Sequence, residues 1–212
     1  MDPNRPVVAV IDYGIGNMHS MHKALCRVGA DARLTTEVDL IERADAVVLP
    51  GVGAFGACMR ALRDCGLEDA TRAAARSGRP FLGVCVGMQM LFDTSDETPD
   101  VDGLGILAGR VVWLPDGVKR PQMQWNRLHH DGDPLFDGLG DEPWMYFVHS
   151  LSAIPNDPEI VAATCTYGGV INAAFRSANV FATQFHPEKS ALGGLRLLEN
   201  FTASIQREPV GQ

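Results

Sequence analysis

The sequence lacks any apolar run approaching the ~20 residues of a membrane-spanning helix, so no membrane association is expected of its 212 residues. It also lacks a cationic excess: 18 lysines and arginines against 26 aspartates and glutamates leave a net charge of −8. That balance argues against a general nucleic-acid or anionic-membrane surface, although one local basic cluster can still hold a small anionic substrate. The five cysteines include no CxxC pair and no zinc-site spacing, so no metal site is expected. Repeats, low-complexity tracts and linkers are absent too, and residues 1–212 are expected to form one domain. The start, Met1-Asp2-Pro3-Asn4-Arg5, leads straight into a strand pattern rather than a signal peptide, which makes the cytoplasm the expected location. Disorder is expected only in the first five residues and over 207–212.

What is present is an apolar share of 46%, enough for a substantial core. The run Val7-Val8-Ala9-Val10-Ile11-Asp12 suits a strand covered on both faces. Asn17 is placed to cap the helix that follows, ending near Gly29. A strand over 32–36, a short helix over 38–43 and a strand over 46–49 come next, broken by Pro50-Gly51-Val52-Gly53. Helices over 54–64 and 67–77 lead to a strand over 81–84. This alternation predicts a flavodoxin-like α/β fold, a doubly wound and mainly parallel sheet with flanking helices. From Arg110 the pattern changes to short strands over 110–114, 123–128, 145–148, 160–166, 171–176 and 180–184, so extra antiparallel strands are expected in the second half. His129-His130, beside Asp131-Gly132, reads as a turn, and a helix over 190–205 closes the chain.

Cys26, Cys58 and Cys165 sit among apolar neighbours and read as small buried hydrophobes, with Cys65 at a helix end also structural. Only Cys85 has glycines two residues before and after it, in Gly83-Val84-Cys85-Val86-Gly87-Met88-Gln89. A strand turning directly into a helix there forms a nucleophile elbow, with the glycines removing side chains that would clash. The helix N-terminus and a nearby histidine both favour a thiolate. The amide of Val86 would face a developing oxyanion, and Gln89, one turn on, would face the same pocket. Taken alone, the motif also fits a structural cysteine beside packing glycines. Phe185-His186-Pro187-Glu188 ends the last predicted strand, where His186 can reach a nucleophile on a neighbouring strand and Glu188 can turn back to hold its ring. Cys85, His186 and Glu188 then follow the logic of nucleophile, base and orienting carboxylate.

Together these residues resemble the class I (triad) glutamine amidotransferases, whose hallmarks are a GxCxGxQ elbow and a late His-x-Glu. The likeness covers nearly the whole chain. It implies hydrolysis of L-glutamine through Cys85, His186 and Glu188, with neither metal nor organic cofactor. It also implies that Pro50-Gly51-Val52-Gly53 is the oxyanion-side loop, in which Val52 or Gly53 adds a second backbone donor to that of Val86. Within the class, Asp12-Tyr13-Gly14-Ile15-Gly16-Asn17, Pro121-Gln122-Met123-Gln124-Trp125-Asn126, Tyr146-Phe147-Val148-His149-Ser150 and His186-Pro187-Glu188-Lys189-Ser190 are similar to the glutaminase subunits of imidazole glycerol phosphate synthase. That similarity implies a (βα)₈-barrel cyclase partner, receiving ammonia, toward which Met123, Trp125, Asn126 and Lys189 would face. It further implies that Gly51, Gln89 and the backbone of His149, Ser150 and Leu151 help to bind glutamine. Gln122, Gln124 and Leu151 depart from the usual histidine, glycine and aromatic residue. The glycines Gly51 and Gly53 make a peptide reorientation cheap, a route by which a partner would control the loop.

Other readings remain open. Gly14-Ile15-Gly16 with Glu37 faintly imitates a dinucleotide fingerprint, but His19 stands at the third glycine position. His19 and His22, one turn apart, have no third ligand and suit an exposed helix face better than a metal. Trp125 also fits a core position, Lys189 a solvated charge, and 146–148 a buried strand. The remaining functional alternatives are a glutaminase serving another synthase, such as anthranilate or pyridoxal phosphate synthesis, and a non-catalytic partner protein of the same fold.

Overall fold

Alternating apolar runs and amphipathic helices build the first half of the chain. The computed structural model describes residues 5–205, so the expected disorder over 207–212 and before Arg5 lies outside the described residues. In order come β1 (Val7–Ile11), α1 (Met18–Arg27), β2 (Asp31–Thr35), α2 (Val38–Arg43), β3 (Ala46–Gly51), α3 (Phe55–Asp64), α4 (Glu68–Arg76), β4 (Phe81–Cys85) and α5 (Val86–Gln89). Strands β3 and β4 are buried at every residue, as both-face coverage demands. Helix α3 turns Phe55, Cys58, Met59 and Leu62 inward at three- and four-residue spacing, which gives it one apolar stripe against the sheet.

The second half contains β5 (Thr94–Ser95), β6 (Gly109–Trp113), β7 (Gln122–Arg127), β8 (His129–His130), β9 (Trp144–His149), β10 (Leu151–Pro155), β11 (Val161–Thr166), β12 (Val170–Ser177), β13 (Val180–Thr183) and α6 (Ala191–Ala203). An eight-stranded sheet runs β2-β1-β3-β4-β13-β12-β11-β8. It is parallel from β2 to β13 and antiparallel beyond. The expected α/β architecture, parallel with added antiparallel strands, is therefore observed. Two small sheets, β10-β6-β5 and β7-β9, stand beside it.

The register brings the separated motifs together. Gly51 pairs with Cys85 across β3 and β4, and Thr183 pairs with Val84 across β13 and β4. The loop over 50–53, the elbow and the residues after β13 thus leave the sheet side by side at its carboxyl edge, the usual ligand-binding edge of open α/β sheets.

Some expectations need correction. Asn17 precedes α1 but makes no side-chain cap bond; its amide is drawn to Glu188 instead. His129–His130 is a short strand, not a turn, because its backbone pairs with Ala163 and Thr164 of β11. Strands β5 and β10 were not anticipated, and α5 spans only four residues. A single turn carries little aligned peptide dipole, so the expected helix-terminus effect on Cys85 is small.

Candidate active site

Cys85 ends β4 with φ 54° and ψ −113°, a positive-φ conformation that a residue with a Cβ rarely adopts. Such strain costs on the order of 1–3 kcal/mol and persists only where the surroundings impose it. Here they do. A Cβ on Gly87 would sit on the Leu49 carbonyl oxygen, and one on Gly83 would lie 2.9 Å from Leu91 Cδ1 and 3.0 Å from Met88 Cα. A Cβ on Gly51 would lie 2.5 Å from Gly87 N, so the loop over 50–53 can approach the elbow only without one. The motif's glycines therefore serve close backbone approach, while the positive φ falls on the cysteine itself.

His186 follows β13, and its Nδ1–H donates to Glu188 Oε1 at 2.8 Å, with both side chains only 1% exposed. The same Oε1 accepts a bond from Asn17 Nδ2 at 2.9 Å, which holds the carboxylate from the far side. Ser190 Oγ donates to the His186 carbonyl at 2.6 Å and accepts from Tyr146 N–H at 2.9 Å, so the backbone beneath the ring is also tied. Among the described residues His186 Nε2 has no hydrogen-bond partner, and the ring lines the same cavity as Cys85. Burial works against a charge on His186, but the adjacent Cys85 and Glu188 side chains outweigh it, and its pKa is pushed up to about 10. The nucleophile, base and carboxylate expected from the sequence are brought together in that order.

The cavity holds about 240 Å³, below the roughly 300–1,000 Å³ of drug-sized ligand sites, a size that suits one amino acid. It is lined by Val52, Gly53, Cys85, Val86, Gln89, Glu97, Pro121, Val148, His149, Ser150, Leu151 and His186. Gln89 Nε2 donates to Gln184 Oε1 at 3.1 Å, and Gln184 Nε2 lies 3.7 Å from Cys85 Sγ. Beneath the loop over 50–53, the Tyr13 hydroxyl donates to the Pro50 carbonyl at 2.7 Å and the Cys58 thiol to the Val52 carbonyl at 3.2 Å. Burial raises both groups, Cys58 up to about 11, so each remains a donor. Cys58 is thus buried, as expected, but it also bonds the loop.

Gly51 lies behind the cavity, against Gly87 and the Tyr13 hydroxyl. Met123 and Trp125 are outside it at 62% and 43% exposure, so Trp125 is not a core residue. Lys189 is exposed as well, and Asn126 Nδ2 donates to the Thr166 carbonyl at 3.0 Å. Sequence reasoning missed Glu97, Gln184, Tyr13 and the bond of Asn17 to Glu188. Glu97 occupies an ordinary polar run, and no spacing announces that its carboxylate reaches the cavity and accepts the Phe55 N–H at 2.6 Å. Two larger hollows of about 470 Å³ lie elsewhere and contain no cysteine. No cluster of metal-ligating side chains occurs among the described residues, including His19 and His22, and no described helix is long and apolar enough to cross a membrane.

A family model described as "Glutamine amidotransferase class-I" matches residues 9–205. The chain is 46% identical over 201 residues to the imidazole glycerol phosphate synthase subunit HisH of Methanothermobacter thermautotrophicus, covering 94% of this chain and 100% of that protein. It is 48% identical to the protein of the same name from Methylococcus capsulatus, covering 92% and 94% of the two chains. Among solved structures, PurLQS from Thermotoga maritima superposes with a TM-score of 0.75 at 19% identity, over 95% of this chain and 100% of that one. A solved glutamine amidotransferase superposes with a TM-score of 0.69 at 23% identity, over 92% of this chain and 98% of that one. These two likenesses bear on the fold alone. With the family model spanning nearly all described residues and such relatives matched almost end to end, the chain belongs to the class I glutamine amidotransferases and, within them, to the HisH family.

Proposed function

We propose that the chain is the glutaminase subunit of an imidazole glycerol phosphate synthase, hydrolysing L-glutamine to glutamate and ammonia in histidine biosynthesis. The carrying observation is the strained Cys85 sharing a cavity with the ring of His186, whose Nδ1 is tied to Glu188. Cys85 Sγ attacks the carboxamide carbon, and the amides of Val86 and of Val52 or Gly53 receive the developing oxyanion. His186 passes its proton to the departing nitrogen as the C–N bond breaks, leaving a glutamyl thioester. Water then gives a proton to His186 and attacks the thioester; the C–S bond breaks and glutamate leaves. Glu97 supplies a carboxylate for the substrate's α-ammonium, while Gln89 and the backbone of His149, Ser150 and Leu151 form the wall against which the substrate lies.

The ammonia is passed to a cyclase subunit in a heterodimer. The exposed Met123 and Trp125, with Trp125 packed edge-on against Tyr146 at 6.1 Å, support an apolar docking face on β7 and β9, and Lys189 and Asn126 belong to its rim. The relatives' description as synthase subunits supports the same assignment. One domain working in the cytoplasm completes the reading.

The test combines copurification with a (βα)₈-barrel cyclase and glutamine turnover with and without the cyclase nucleotide. Cys85→Ala should abolish glutamine-dependent synthesis and leave synthesis from ammonium salts intact. Loss of both would make Cys85 structural, and a failure to support the cyclase would point to another synthase.

A further inference from the structure

The wall opposite the elbow is a corner where the chain leaves one sheet for another. Strand β9 pairs with β7 and ends at His149; β10 starts at Leu151 and pairs with β6. A chain changing sheets gives up part of its ladder, and here side chains supply the missing bonds. His149 Nδ1 lies 2.7 Å from the Leu151 carbonyl, which Gln89 Nε2 also approaches at 3.4 Å. His149 Nε2 lies 2.9 Å from the amide of Gln122, its cross-strand partner. Gln122 is fully buried and His149 5% exposed.

Donors and acceptors along this chain fix the protons. Burial pushes the His149 pKa down to about 4, so near neutral pH the ring carries a single proton. The Leu151 carbonyl can only accept, so that proton is on Nδ1 and Nε2 is an acceptor. An acceptor facing Gln122 Oε1 makes no bond, and in that orientation Gln122 Nε2 is itself buried without a partner. Turning the amide over removes both conflicts, since the hydrogen-bond network decides which end faces which partner. Nε2–H of Gln122 then donates to His149 Nε2, and Oε1 faces the buried Cys165 thiol, which interacts with the Gln122 side chain and remains protonated.

We infer that Gln122 is a positioning residue for glutamine binding: its amide donates to His149 and locks the Nδ1–H tautomer that fastens the Leu151 corner of the cavity. This deepens the proposed glutaminase site and rests on that reading. The next residue on β7, Met123, belongs to the exposed face, so the strand that fastens the corner also carries the docking surface.

The experiment uses the glutaminase–cyclase complex. In the unaltered protein, ¹⁵N resonances of the His149 ring, assigned against His149→Gln, should show Nδ1 protonated and Nε2 bare at neutral pH; the reverse tautomer overturns the inference without any variant. Gln122→Leu, which removes both ends of the amide, should raise the KM for glutamine about 5- to 20-fold, with kcat and ammonium-dependent synthesis nearly unchanged. Gln122→His, which can also donate, should recover most of the loss. Gln122→Met, of similar length but without a donor, should be impaired like Gln122→Leu. An unaltered KM in Gln122→Leu or in Gln122→Met overturns the inference. Glutamine should also protect Cys85 from alkylation in the unaltered complex; absence of protection would reject the site reading itself.

Discussion

On one wall of the cavity His186 stands between Cys85 and Glu188 and its pKa is pushed up to about 10; on the other, His149 is packed between Gln122 and the Leu151 carbonyl and pushed down to about 4. Both rings are buried, so burial alone does not decide the outcome. His186 has the Glu188 carboxylate and the Cys85 side chain as neighbours, which reward a positive charge. His149 has only neutral dipoles and the competing charge of His186, so a proton there is poorly compensated. The elbow wall places a strained cysteine beside an imidazole held by a carboxylate, the arrangement on which the proposed chemistry rests. The corner wall is arranged for shape.

Substitutions separate the two walls. The largest effect is expected from Cys85→Ala or His186→Ala, each lowering glutamine turnover by at least about 10³-fold, read by glutamate release in the complex. Gly87→Ala should come next, because its methyl would collide with the Leu49 carbonyl; a loss of about 3 kcal/mol or more in urea unfolding is expected. Glu188→Gln removes the carboxylate but keeps a hydrogen-bonding side chain, and should lower kcat about 10- to 100-fold with little change in KM. Gly53→Ala has open space for its methyl but a φ of +89°, so it should cost only about 1–2 kcal/mol.

The smallest effects have opposite signs on the two walls. The folded pKa of His186 lies above the ordinary 6.5, so its contribution to stability is complete below that value and is lost as pH rises toward 10. The folded pKa of His149 lies below 6.5, so its contribution is present above that value and is lost as pH falls toward 4. His186→Gln should therefore cost more stability at about pH 6 than at about pH 9, and His149→Gln more at about pH 8 than at about pH 5. Parallel pH dependences for the two variants would erase the contrast.

The same contrast explains how far the sequence could be read. The elbow is legible because steric need leaves a local mark: Gly83 and Gly87 flank Cys85 wherever backbones must approach this closely. His186 and Glu188 are two residues apart, so their bond is also local. The parallel sheet follows from alternating apolar runs and amphipathic helices. The corner is different, since Gln122, His149 and Cys165 come from separate strands and no local pattern shows that their side chains meet. Asn17 was misread because a helix-capping residue and a carboxylate ligand look alike until Glu188, 171 residues away, is placed beside it. His129-His130 has the neighbours of a turn, yet pairing with β11 overrides that preference. Glu97 left no mark at all, because a single carboxylate in a polar run is ordinary.

The most direct test of the account is the mass of the chain after acid quenching during glutamine turnover in the cyclase complex. A glutamyl adduct on the peptide that contains Cys85, absent from Cys85→Ala, is the predicted result. Turnover with no adduct on Cys85, or with the adduct on Cys58 or Cys165, would contradict it.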